Sequence, residues 1–238
     1  MYRNRRFLKT CLFIFILPAF LRASDAGTLP FGEKEEIVYN IRWSFINCGQ
    51  SSLTIERIST SCFKITSLAK SYPFFDHFYK VRDRVEAWWD IKQMRSLRFE
   101  KHMREGKRAV DDLIEIDTAQ NIAKRERETW AVTPHALDVL SSLYYIRLKN
   151  LTPGSSLVVD VYTKKKLWPL NVKVIRREKI SVRDREYKTI LVEPEMREEG
   201  IFKAKGRIWV WLTDDEKKIP VQMKSKIPIG SIIAEMIE

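Results

Sequence analysis

Apolar and polar residues alternate with a period of two along most of this chain. Tyr39, Ile41, Trp43 and Phe45 fall on one face of an extended backbone, as do Phe63, Ile65 and Ala69. The same holds for Leu157, Val159 and Val161, and for Ile208, Val210 and Leu212. About a dozen such runs, broken by turn residues every 8–12 positions, predict an antiparallel, mainly β domain. Residues 37–45, 51–58 and 63–69 read as three consecutive strands. Arg104-Glu105-Gly106-Lys107 and Ile227-Pro228-Ile229-Gly230 read as hairpin turns, with glycine supplying the left-handed position. One segment departs from the alternation. Thr133 is placed to cap a helix and Pro134 suits its first position. Leu137, Leu140, Leu143, Tyr144 and Leu148 then recur at helical spacing, which predicts one helix over about 134–149. It is apolar around most of its circumference and therefore needs burial. The expected architecture is a strongly curved antiparallel sheet, or incomplete β-barrel, with this one α-helix packed on its concave side. The exit loop runs over 150–156. No low-complexity linker interrupts residues 27–238, so they read as a single domain.

The first 26 residues follow a different rule. Arg3, Arg5, Arg6 and Lys9 precede an apolar run, and small residues lead to Ala26. This is the order of a secretory signal peptide, and the run is shorter than the roughly 20 residues a membrane span needs. Cys11 precedes the apolar run, the wrong place for a lipoprotein acceptor cysteine. The leader carries four units of the net charge of +12, leaving the remainder at +8. In a cytoplasmic protein that excess would suggest nucleic acid. Export makes nucleic acid an unexpected partner and leaves anionic envelope surfaces, lipid head groups or acidic proteins. Cys48 and Cys62 lie near opposite ends of a predicted hairpin, about eight residues of strand at roughly 3.3 Å each apart. They are expected as free, mostly buried thiols, because that separation exceeds disulfide reach.

Candidate chemistry is sparse. His77, His102 and His135 show no metal-ligand spacing, and there is no nucleophile elbow, phosphate loop or catalytic-cysteine signature. Asp111-Asp112 is an adjacent pair that a strand points to opposite faces, and Asp214-Asp215 reads as part of a turn, so neither is an acid–base pair. Neither metal nor cofactor is expected. Asp83 is more informative, since it shares a strand face with Tyr79, Val81, Val85 and Ala87. An inward carboxylate needs a partner. It is either an anchor within a ligand cavity or a structural group bonded to an arginine or to backbone amides. Over 202–213, Lys203, Lys205, Arg207, Trp209 and Trp211 share one face, opposite Phe202, Ala204, Gly206, Ile208, Val210 and Leu212. Cations followed by indoles suit an interface between head groups and acyl chains, and equally a second packed layer or a cation–π stack. The two hairpins around Asp90 and Asp214 also echo each other, with aromatic strand, Asp-opened turn and return strand of equal spacing.

Several segments resemble a family. Phe78-Tyr79-Lys80-Val81-Arg82-Asp83-Arg84-Val85-Glu86 and Leu97-Arg98-Phe99-Glu100-Lys101-His102 are similar to the signature of a bacterial exported domain of unknown function, numbered 3108. So are Asp138-Val139-Leu140-Ser141-Ser142-Leu143-Tyr144, Gly206-Arg207-Ile208-Trp209-Val210-Trp211-Leu212-Thr213-Asp214-Asp215 and Lys224-Ser225-Lys226-Ile227-Pro228-Ile229-Gly230. Ser96 departs from the pattern, where proline is usual. The resemblance implies an envelope protein and carries no catalytic residues. More distantly, the hairpins resemble those of periplasmic lipoprotein carriers of the LolA and RseB type. Together these readings give an exported, periplasmic, non-enzymatic protein of a Gram-negative bacterium. It is expected to bind a lipid or acylated envelope ligand, acyl chains on the concave side and an anionic head group at a basic rim. Arg82, Asp83, Arg84, Arg98, Lys203, Lys205, Arg207, Trp209 and Trp211 are the candidate binding residues, with peripheral membrane contact. The alternatives are a protein-docking scaffold in envelope assembly, or a hydrolase built around Asp83, His77 or His102.

Overall fold

The computed structural model describes residues 29–162, 166–195 and 207–237. The signal-peptide reading, Lys203 and Lys205 lie outside them. The first meander consists of β1 (Lys34–Trp43), β2 (Ile46–Arg57), β3 (Cys62–Ser71), β4 (Arg82–Asp90), β5 (Arg95–Glu105), β6 (Arg108–Asp117), β7 (Ile122–Arg125) and β8 (Glu128–Ala131). A short α1 (Pro73–Asp76) interrupts the β3–β4 connection, and α2 (Val139–Arg147) follows β8. The second meander is β9 (Ser156–Tyr162), β10 (Leu167–Val182), β11 (Arg185–Pro194), β12 (Ile208–Thr213), β13 (Pro220–Lys226) and β14 (Ser231–Met236). The two join where β1 pairs antiparallel with β14, from Tyr39↔Met236 to Trp43↔Ile232. One 14-stranded sheet results, with β8 and β9 at its edges. The expected curved, incompletely closed β architecture is the one observed.

The middle of the chain has to cross from one sheet edge to the other, and it does so across the concave face. Before α2 begins, Ala136 and Leu137 act as a splint. The Ser96 amide donates to Ala136 O at 3.0 Å, the Leu137 amide to Asp160 O at 2.8 Å, and the Tyr162 amide to Leu137 O at 2.9 Å. One extended segment thus links the start of β5 to β9. The helix is correspondingly shorter than the sequence predicts, and its cap is Asp138 instead of Thr133. Thr133 only closes a turn, accepting from the Ala136 amide at 3.1 Å. The Asp138 carboxylate accepts from the Leu140 and Ser141 amides at 2.8 and 2.9 Å. Sheet pairing of Leu137 and the cap at Asp138 together outcompete the Thr133-Pro134 signal.

The predicted alternation sorts most side chains as expected. Trp43 and Phe45, read on one strand face with Tyr39 and Ile41, are instead exposed, because β1 ends at Trp43 and Phe45 lies in the turn to β2. Ile37, Tyr39, Leu53, Ile55, Phe63, Ile65, Ala87 and Trp89 are buried on the concave face, with Tyr144 of α2 among them. Phe31 meets Phe63 and Tyr144 edge-on at 5.4 and 5.3 Å between ring centres, a preferred geometry for aromatic pairs. Ile146 and Leu151 pack with Val172, Val174, Ile190, Val192, Val210 and Leu212 of the second meander. The helix therefore fills the concavity, and the side expected to receive acyl chains is occupied by the protein itself.

Both predicted glycine turns are present, with Gly106 at φ +58° and Gly230 at φ +84°. Cys48 and Cys62 are free, as expected, but half-buried instead of mostly buried. Desolvation raises both thiol pKa values. The hairpin echo is real but displaced by a residue. Asp90 accepts from the Lys92 and Gln93 amides, whereas Asp215, not Asp214, accepts from Lys217 and Lys218. Asp214 instead meets Arg177 at 2.9 Å.

Candidate functional site

Period-two alternation places the odd-numbered residues of β1–β4 on the core face and assembles the even-numbered ones on the convex face. Register then builds rows across strands. Val38 faces Ser52, Ser52 faces Leu68, Leu68 faces Arg84, and Arg84 faces His102. The adjoining row runs Asn40, Gln50, Lys70, Arg82. A groove of about 470 Å³ lies along these rows, with Val38 and Leu68 supplying apolar lining and Lys70, Arg82, Arg84 and His102 the cations. Gln50, Ser52 and Glu36 add polar groups, while Ser51, Ala69 and Asp83, which also border the groove, belong to the intervening row that alternates to the core face.

Most of these cations are already engaged. Arg82 reaches Asp76 of α1 through both terminal guanidinium nitrogens, at 2.5 and 3.1 Å. Those bonds, with the Ser71 hydroxyl, hold the Asp76 carboxyl below its ordinary pKa. Arg84 meets Glu86 at 2.8 Å and Lys64 meets the same carboxylate at 2.7 Å. Burial pushes the Glu86 pKa up, yet the hydrogen bonds from Arg84 and Lys64 prevail and bring it down. Lys70 has no ion-pair partner among the described residues. It is the groove's available cation.

His102 holds two carboxylates, Asp111 at 2.7 Å from Nδ1 and Glu100 at 2.9 Å from Nε2. The bonds to Asp111 and then Glu100 raise its pKa against a small desolvation. The stabilisation from these bonds is fully present below the ordinary imidazole pKa of about 6.5 and fades as pH rises through the higher folded value. NMR titration should therefore place the His102 midpoint above 6.5, and Asp111→Asn should lower it. A wild-type midpoint at or below 6.5 would show the clasp is not formed in solution.

The other predicted residues divide into separate groups. Asp83 alone lies on the core face, where it accepts from the Arg104 amide at 2.9 Å. Burial raises its pKa and the amide opposes that, which is the structural role weighed for it. Arg98 lies on β5, the strand that brings His102 to the groove, but outside the groove's lining, 2.9 Å from Glu100 and stacked over Trp88 at 5.0 Å. Arg207 forks onto Glu193 at 2.5 and 2.7 Å and lies over Trp209 at 4.8 Å. Trp211 donates to Glu178 at 2.8 Å. This group is on β12 and its flank, six strand positions from β4, about 29 Å along the sheet at roughly 4.8 Å per strand. The structure does not bring it to the groove. Sequence reasoning missed Lys70, Leu68 and His102 as groove residues, because only register makes them neighbours of Arg82 and Arg84. The hydrolase residues are dispersed: His102 is on the convex face, Asp83 on the other, and His77 is exposed beside α1 with Pro73 O 3.0 Å away.

Comparison with known proteins places the fold more firmly than the activity. The family described as "Protein of unknown function (DUF3108)" matches residues 38–237. No curated protein matches the chain. A solved beta-barrel-like protein of domain of unknown function DUF1849, from Brucella abortus, superposes with a TM-score of 0.60 at 8% identity. That superposition covers 89% of this chain and 98% of the other, and it supports a shared β-barrel-like fold. The hypothetical protein CT021 from Chlamydia trachomatis gives a TM-score of 0.38 at 6% identity, over 85% and 84% of the two chains.

Proposed function

The chain belongs to the DUF3108 family, and we propose that it serves the bacterial envelope as a non-enzymatic, exported binder of an anionic amphiphile. The observation that carries this reading is the convex groove of β1–β5, where Leu68 and Val38 lie beside Lys70, Arg82 and Arg84. Its volume falls within the roughly 300–1,000 Å³ usual for small-molecule sites. An apolar lining with cationic walls matches a lipid or acylated molecule bearing an anionic head group. The reading moves the site from the concave side, which α2 fills, to the outer face. The basic, apolar and small-residue order of the leader supports export to the periplasm. Dispersal of Asp83, His77 and His102 favours binding over hydrolysis, since acid–base work needs groups within hydrogen-bond reach of one reacting centre.

The test is native mass spectrometry of the mature protein purified from a bacterial periplasm, with solvent extraction of its adduct. It is paired with calorimetric titration of a short-chain phosphatidylglycerol below its micellar concentration. A stoichiometric anionic lipid adduct is expected. Leu68→Asp and Lys70→Glu, both at exposed positions, should each weaken the titrated affinity at least about tenfold, the loss of one good apolar or charged contact. Unchanged affinity in both variants would sink the groove. A clean apo mass with no titratable binding would turn the reading to protein docking.

A further inference from the structure

Exposed apolar side chains are unremarkable when scattered and informative when gathered. Seven of the eleven large apolar residues exposed among the described residues stand at one end of the sheet, on the β1–β2, β3–β4 and β13–β14 connections and their flanks. In an antiparallel meander these alternate connections share an end. Trp43 and Ile229 are tied there by a bond from the Trp43 indole to Ile229 O at 2.9 Å. Phe45 is 84% exposed beside them. On the β3–β4 connection Phe74 and Phe78 are 68% and 74% exposed. Their ring centres are 5.5 Å apart, and Phe75 meets Phe74 edge-on at 5.4 Å. No residue of α1 is buried, so these rings do not serve the core.

The segment is nonetheless held in place. Arg82 and Ser71 grip Asp76. The Tyr72 amide bonds Cys48 O at 3.0 Å, and the Gly106 amide bonds Lys80 O at 2.8 Å. The Tyr79 ring lies so close over Gly106 that a Cβ there would come within 2.9 Å of it. The aromatic projection is therefore pre-organised and coupled to the β5–β6 turn. That turn brings Lys107 and Arg108 beside Lys80. Lys80 and Lys107 have no ion-pair partner among the described residues, and Arg108 has a 3.4 Å contact to Glu105.

We propose that this end of the barrel docks on an anionic lipid bilayer, with Phe74 and Phe78 entering the head-group region and Lys80 and Lys107 meeting lipid charge. Protruding aromatics flanked by free cations fit a membrane surface, where rings partition to the interface and cations gain from anionic lipid. Protein interfaces instead deplete charge, lysine above all, at their centres. Docking stands independently of whatever occupies the groove. The sequence places the membrane-facing indoles at Trp209 and Trp211, and this proposal puts the contact elsewhere.

Vesicle flotation of the mature protein tests it, with circular dichroism and melting temperature confirming that each variant is folded. Wild type should float with phosphatidylglycerol–phosphatidylethanolamine vesicles, less with phosphatidylcholine, and less again at high salt. The Phe74→Ser/Phe78→Ser variant should lose at least about tenfold in partitioning. Lys80→Gln/Lys107→Gln should lose about fivefold per cation, on anionic vesicles only. The groove variant Leu68→Asp should float like wild type, which separates this proposal from the groove's binding role. Wild type that ignores anionic vesicles, a double-serine variant that floats normally, or flotation lost only in Leu68→Asp would each overturn the docking face.

Discussion

Replacing Arg147 with alanine should destabilise the protein by about 3–5 kcal/mol, the usual consequence of leaving a buried ion pair without one partner. Its side chain is completely buried at the end of α2. The two terminal nitrogens fork onto the Glu35 carboxylate of β1 at 2.5 and 2.8 Å. Nε and one terminal nitrogen also donate to Lys217 O, at 3.1 and 2.9 Å, in the β12–β13 turn. The guanidinium lies 5.0 Å from the Tyr144 ring centre and 5.6 Å from that of Phe31. One side chain thus fastens the helix to both meanders beside the β1–β14 seam. Arg147→Ala strands a mostly buried carboxylate and a carbonyl, and opens a void between two aromatic rings.

Arg147→Lys should recover only part of the loss, because an ammonium cannot fork onto a carboxylate and reach the carbonyl in the same plane. The double variant Arg147→Met/Glu35→Leu should be more stable than Arg147→Ala, since it removes the unpaired charge along with its partner. Urea denaturation at neutral pH measures all three. A loss below about 1 kcal/mol for Arg147→Ala would place the pair at the surface, where exposed ion pairs contribute that little.

Much of the sheet was legible because burial on one face imposes strict alternation. Ile37 and Tyr39, Phe63 and Ile65, Val159 and Val161, and Val210 and Leu212 all face inward as their spacing requires. The order of strands was not, since alternation says nothing of partners. Nothing local to residues 39–43 specifies pairing with 232–236. The groove was hidden for the same reason: Leu68, Arg84 and His102 become neighbours only through register. The engagement of the cations was readable in part. Arg84-x-Glu86 and Arg98-x-Glu100 are two apart on strands, so each pair shares a face and meets at 2.8 and 2.9 Å. Arg82 and Arg207 could not be read this way, because their carboxylates, Asp76 and Glu193, come from α1 and β11.

Asp138→Ala should cost about 2–4 kcal/mol, combining a lost helix cap of about 0.5–2 kcal/mol with buried donors left unsatisfied at about 1–3 kcal/mol. The carboxylate is almost fully buried. Besides the two helix amides it accepts the Ser141 hydroxyl at 2.6 Å and the Ser96 hydroxyl at 2.5 Å. Ser96 Oγ in turn accepts the Asp138 amide at 2.8 Å. This knot joins the helix to β5 beside the splint at Ala136 and Leu137. Its loss should lower hydrogen-exchange protection of the Leu137 and Tyr162 amides before that of the β2–β3 ladder. Burial raises the Asp138 pKa more than its hydrogen bonds lower it. The folded state therefore holds this proton to higher pH than the unfolded chain does. Between the ordinary carboxylate pKa and the raised one, the group's contribution falls as pH rises, then becomes constant. Asp138→Asn keeps a good capping oxygen without the charge. It should be milder than alanine at pH 7 and should remove that component of the pH dependence, as denaturation across pH 4–7 would reveal. An alanine variant within about 0.5 kcal/mol of wild type, the range of ordinary surface changes, would mean that backbone pairing alone holds the splint.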